Sequence, residues 1–206
     1  MLNNIVKLIK ATIIDLIVAL LVTAILYTAL ELFLGQEISM VFGIANTISI
    51  DTTNKNNKQT EYDKTKNKLK VYPEYGTQYA TIEISKINVD LPVYYGDTLE
   101  VLKKGVGHSS GSYFPGEGGS IVYMGHNSKN VFRRFGELQI GDTINIKTNY
   151  GEFKYLINDM QIVDETDTEK LPIQKNEETL MIYTCYPFNN IGYATQRYVV
   201  YAKLDK

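Results

Sequence analysis

One uncharged run, Leu16 to Leu30 (LIVALLVTAILYTAL), limits what this chain of 206 residues can fold into more than any other feature. A helix crossing the apolar core of a bilayer needs about 20 mostly apolar residues. Ile13 to Gly35 supplies them, with Asp15 and Glu31 close to either end, where a carboxylate reaches the headgroups. Lys7 and Lys10 stand before the run. Positive charge on that side predicts a single-pass plasma-membrane protein with a cytoplasmic N-terminus (residues 1–12), an uncleaved signal anchor (13–35) and the rest of the chain extracellular. A cleaved signal peptide is the main rival, since Leu16 to Leu30 also satisfies its apolar region; the lack of a small-x-small site soon afterwards argues for the anchor. The flanking polarity argues against a buried core helix.

The composition then shifts. Ser49 to Lys70 (SIDTTNKNNKQTEYDKTKNKLK) is rich in Asn, Lys and Thr and has few apolar side chains to offset the entropy of ordering it. Residues 36–70 therefore read as an extracytoplasmic stalk, and 71–206 as the folded domain. Within the stalk, Met40 to Ile50 is apolar enough to extend the helix, lie in the membrane interface or pack as a second element. A net charge of −2 leaves no reason to expect a nucleic-acid partner.

From Val71 onward the pattern is all-β. Tyr79–Ile84, Val89–Tyr94, Ser120–Gly125, Thr143–Lys147, Glu152–Val163, Thr179–Thr184 and Tyr198–Leu204 are short, rich in β-branched and aromatic residues, and bounded by Gly, Pro, Asn or Asp. Such strands close into a barrel or pack as a sandwich. Asn149-Tyr150-Gly151 predicts a tight hairpin, and Leu99–Lys104 and Val131–Leu138 predict short helices.

Cys185, in MIYTCYPF, is the only cysteine. A domain outside the cell with one cysteine cannot form an intramolecular disulfide, so the thiol is either an inert core group or a working one. A free thiol titrates near about pH 8.5, so thiol chemistry at neutral pH calls for a base or cation beside it. Cys185 ends a strand-like run that Pro187 stops, which presents the side chain at a sheet edge. His126 ends another run after Gly125, and Arg197 opens the last strand twelve positions after Cys185. If those last two strands are antiparallel neighbours, Cys185 and Arg197 share an edge. Arg197 cannot be the base, because its guanidinium does not deprotonate, so the proton work would fall to His126. His108, in the glycine-flanked GVGHSSGS, reads as a loop hydrogen-bonder. His108, His126 and Cys185 match no zinc spacing.

From about Ile82 to Leu204 the sequence resembles the sortases, membrane-anchored cysteine transpeptidases of Gram-positive bacteria. The resemblance rests on IEISKINVDLPVYYGD, on LKKGVGHSSGSYFPGEGGSIVYMGHNS, on FRRFGELQIGDTI and on TCYPFNNIGYATQRYVVYA, with TCYPF in the form seen in class D. It departs where the family commonly reads TLxTC: here Met181-Ile182-Tyr183-Thr184-Cys185 stands instead. What the resemblance implies is an eight-stranded closed β-barrel with short helices behind an N-terminal transmembrane helix. It implies Cys185 as nucleophile on an LPxTG-like signal of a secreted protein, His126 as acid and base, and Arg197 on the oxyanion or substrate backbone. Thr184, Tyr186 (through its backbone N–H) and Asn127 would contact substrate, and the acceptor would be an amine of a cell-wall peptide precursor. Some sortases bind calcium, and the resemblance makes the acids of Asp164 to Glu178 the candidates for it; a solvated loop, with no cofactor or required metal, is expected here. No lid motif precedes Val71. A hydrolytic cysteine peptidase and a catalytically inactive binding or pilus-assembly scaffold are the competing functions.

Overall fold

Alternation along the strands wraps one sheet into a closed cylinder. The computed structural model describes residues 9–10, 12–30, 60–188 and 193–205. The expected stalk up to residue 59, the Met40 to Ile50 segment and the last residues of the expected anchor lie outside them. The first helix, α1 (Thr12–Leu30), has 19 residues and a mean hydropathy of 2.5, with apolar side chains exposed along it.

The folded domain contains β1 (Glu61–Asp63), β2 (Lys68–Val71), β3 (Gln78–Ile84), β4 (Val89–Tyr95), the single-turn α2 (Leu99–Leu102), β5 (Val106–His108), β6 (Ser120–Met124), β7 (Thr143–Thr148), β8 (Glu152–Asp164), β9 (Thr179–Tyr186) and β10 (Gln196–Leu204). Eight of the strands close a barrel in the order β10-β8-β7-β3-β4-β5-β6-β9, as expected for the fold class. Every second residue points inward: Ile82 and Ile84, Ile121 and Tyr123, Ile144 and Ile146, Tyr155 and Ile157, Leu180 and Ile182, Val200 and Ala202 form the core. Thr148 closes the β7–β8 hairpin, its Oγ1 accepting from the N–H groups of Tyr150 and Gly151.

Three segments differ from the sequence reading. Of the short helix expected over Val131–Leu138, only a 3-10 turn at Phe135–Glu137 forms. Val106–His108, where a loop is expected, is β5, parallel to β4 and antiparallel to β6. Three residues are too few to show alternation, and buried neighbours on both sides supply the order. The end of the expected stalk folds as the β1–β2 hairpin. It is anchored by a few specific contacts: Leu69 is buried in the core, its N–H donates to Glu117 Oε1, and Tyr62 stacks on Tyr150 and donates to the Gly116 carbonyl.

Glu178 ties together the loop before β6. Its carboxylate accepts from the N–H groups of Gly116 and Gly118 and from the Tyr155 hydroxyl at 2.7 Å. Glu178→Ala strands these donors, and is expected to cost about 3 kcal/mol in urea unfolding, since each buried donor left unpaired loses a full solvation shell. A loss below about 1 kcal/mol would mean water replaces the carboxylate without penalty.

Candidate active site

Strand pairing brings Cys185 and Arg197 together. In β9, Leu180 and Ile182 face the core, so Cys185, of opposite parity, lies on the outer face of the barrel. Its direct cross-strand partner in antiparallel β10 is Arg197, and the two side chains stand on the same face. On the other side β9 runs parallel to β6, with Met124 opposite Tyr183. The Gly125 N–H donates to the Tyr183 carbonyl at 3.2 Å, which holds the chain beside β9 past the end of β6. His126 follows one residue later, two positions past the end of β6. Gly125 is required at that approach: a Cβ there would stand 2.5 Å from the Phe132 ring.

Cys185 is free and half-buried. His126 is half-buried as well, and burial lowers its pKa by disfavouring the imidazolium, so a neutral ring able to accept a proton predominates at neutral pH. Arg197 is held by carbonyls and a carboxylate. Its Nη1 donates to the Ala194 and Gln196 carbonyls at 2.7 and 2.9 Å, and its Nη2 to Glu165 Oε2 at 2.7 Å.

Of the three residues expected to contact substrate, Thr184 and Asn127 are buried and Tyr186 is half-buried. Thr184 points into the barrel and is 1% exposed, and Asn127 is buried, its Nδ2 donating to the Pro187 carbonyl. Thr184 Oγ1 and Asn127 Oδ1 have no hydrogen-bond partner among the described residues. The Tyr186 ring packs against Phe188 and Tyr198, which leaves its backbone as the part nearest Cys185.

His108 lies away from this edge, opposite Tyr123 in the β5–β6 pair. It is fully buried, with Nδ1 2.8 Å from Tyr79 Oη and Nε2 2.8 Å from Ser112 Oγ. Both ring nitrogens are therefore occupied. The hydrogen-bonding role expected of it holds, although in a strand and in the core. Sequence reasoning missed Glu165, which looked like one more solvated acid in a charged loop; its place directly after β8, the other neighbour of β10, was the available signal.

A family model described as a sortase domain matches residues 82–205, most of the barrel together with His126, Cys185 and Arg197. This chain belongs to the sortase family. Sortases are cysteine transpeptidases, and Sortase D of Bacillus subtilis (strain 168) is 45% identical over 141 residues, 68% of this chain and 71% of that protein. Among solved structures, a Clostridium perfringens Sortase D5 transpeptidase is 36% identical with a TM-score of 0.59, covering 65% of this chain and 82% of that one. Sortase C of Clostridium perfringens with the C-terminal cell wall sorting motif is 28% identical with a TM-score of 0.58, covering 65% of this chain and 73% of that one. Class D is thus the class of the relative matched at 45% identity, in agreement with the form of TCYPF.

Proposed function

We propose that this sortase is anchored by α1 with its barrel outside the cell, and that it cleaves an LPxTG-like signal near the C-terminus of secreted proteins between Thr and the next residue. The observation that carries the mechanism is the register at the barrel edge, with Arg197 directly across from Cys185 and the chain leading to His126 hydrogen-bonded along the other side of β9. Lys7 and Lys10 before the apolar run support the orientation. The sorting motif bound to the Clostridium perfringens sortase C supports the substrate class.

In this reading the Cys185 thiolate attacks the Thr carbonyl, forming a C–S bond and a tetrahedral oxyanion. The Arg197 N–H groups that no described residue engages and the Tyr186 backbone N–H stabilise that charge as it develops. Collapse breaks the peptide C–N bond, and His126, carrying the thiol's proton as imidazolium, protonates the departing amine. The neutral ring then takes a proton from an amine of the cell-wall peptide precursor, which attacks the thioester and releases the thiol. Residues 1–12, 13–35 and 36–59 serve as cytoplasmic tail, anchor and stalk, and the catalytic domain begins at the β1–β2 hairpin.

No step calls on a cofactor or metal. Asp164 accepts from Thr166, Glu165 pairs with Arg197, Glu177 with Lys203, and Glu178 with the loop before β6, so these acids of the β8–β9 segment have protein partners.

The test uses the full chain in detergent with fluorogenic peptides varied around LPxTx, with and without a diglycine-type amine and with EDTA. Cleavage that yields an amine-ligated product, unchanged by EDTA, is expected. Cleavage giving only the free acid at every amine tried would favour a hydrolytic peptidase, and no cleavage of any peptide would favour the inactive scaffold.

A further inference from the structure

The charged segment that follows β8 contains one acid that reaches the site. Glu165 begins it, and its backbone N–H donates to the Thr195 carbonyl at 2.9 Å, which fixes it beside the start of β10. Its Oε2 accepts from Arg197 Nη2 at 2.7 Å, and its Oε1 accepts from the Tyr193 hydroxyl. The pair is the least exposed of the ion pairs among the described residues, with Arg197 at 23% and Glu165 at 20%, whereas Arg134 and Glu137 stand at 41% and 52%.

From this geometry we infer that Glu165 is a positioning residue for the Arg197 guanidinium. The inference rests on the role proposed above for Arg197. A guanidinium has five N–H donors in one rigid plane. Three contacts, to Ala194 O, Gln196 O and Glu165 Oε2, use both Nη1 hydrogens and one on Nη2 and fix the orientation of that plane. Among the described residues the Nε–H and the second Nη2–H have no partner, which leaves them to meet an oxyanion formed at Cys185. The two carbonyls come from the chain next to Arg197 and follow it wherever it moves; Glu165 is 32 residues away and on another strand's end, so it references the guanidinium to the barrel. Donors oriented before the reaction need no reorganisation in the transition state, and this is where their catalytic value lies.

The experiment is a mutant cycle on the full chain in detergent, with cleavage of the best LPxTx peptide measured both at steady state and in single turnover. Glu165→Ala is expected to lower kcat/KM by roughly 10- to 100-fold, mostly in kcat, because misplaced donors lose most at the transition state. Glu165→Gln keeps one acceptor and the shape, and should lose less. In an Arg197→Lys background, where the fork is gone, Glu165→Ala should change the rate by less than about twofold, since residues acting through one another are not additive. Equal losses in both backgrounds would show a structural role and overturn the inference. So would wild-type kcat in Glu165→Ala, and Arg197→Ala without activity beside it would leave the Arg197 role standing. Full activity in Arg197→Ala would overturn that role and this inference together. If Glu165→Ala does not fold, Glu165→Gln carries the same comparison.

Discussion

Cys185→Ala is expected to abolish peptide cleavage, a loss of at least about 10⁴-fold, while leaving the barrel intact. Removing a nucleophile leaves only binding and oxyanion stabilisation, which cannot replace the covalent step. The fold should tolerate the change because Cys185 is half-buried, forms no disulfide and lies on the outer face, away from the core of Leu180 and Ile182. A shift in unfolding free energy below about 1 kcal/mol is expected, as for surface substitutions that remove little buried area. The alanine variant is therefore a clean control: its circular dichroism and unfolding midpoint should match the wild type. Residual cleavage above a few per cent of wild type would assign the chemistry to another group.

The second large effect concerns stability in acid. Burial holds the His108 ring neutral, with its pKa lowered to about 3 against 6.5 for the free side chain. Tyr79 and Ser112 bond its nitrogens, and the Phe114, Tyr123 and Tyr95 rings enclose it; the Tyr113 backbone and the charge of Asp97 oppose the shift only partly. Between those two pH values the unfolded chain binds a proton that the native chain excludes. Stability is therefore complete above about pH 6.5 and falls as the pH is lowered toward about 3, by roughly 1.4 kcal/mol per pH unit. From pH 6.5 to pH 5 the loss should be about 2 kcal/mol, in a window above the range where carboxylates titrate. His126, its pKa also lowered by burial, adds a contribution of the same sign. Urea midpoints measured against pH should show the steep limb in wild type, a flatter one in His108→Gln, and a smaller change in His126→Gln. An unchanged slope in His108→Gln would mean that the acid sensitivity arises elsewhere.

The barrel was legible wherever a strand was long enough to alternate. β3, β7 and β9 place an apolar side chain at every second position, and the sheet's closure buries that set. The pairing of Cys185 with Arg197 was legible for a related reason: one stands near the end of β9 and the other near the start of β10, where chain order and antiparallel pairing alone make them neighbours. What escaped reading depends on contacts distant in sequence. β5 is three residues held by β4 and β6; the β1–β2 hairpin is mostly polar and rests on Leu69, Tyr62 and the Glu117 carboxylate. Glu165 and Glu178 lie in one acidic stretch and have opposite fates, one beside Arg197 and one behind the loop before β6; only the place of Glu165 directly after β8 sets it apart, and that carries weight once β8 is known to pair with β10.

The central claim is that an acyl group passes from a sorting signal to an amine through Cys185. Intact-mass spectrometry of the full chain mixed with excess LPxTx peptide, before and after addition of amine, tests it most directly. The account predicts a mass increase equal to the peptide's N-terminal fragment, mapped to Cys185 after digestion, that disappears on adding amine as an equal amount of amide-linked product forms. An adduct on another residue, or cleavage with no adduct at any mixing time and no amine product, would contradict it.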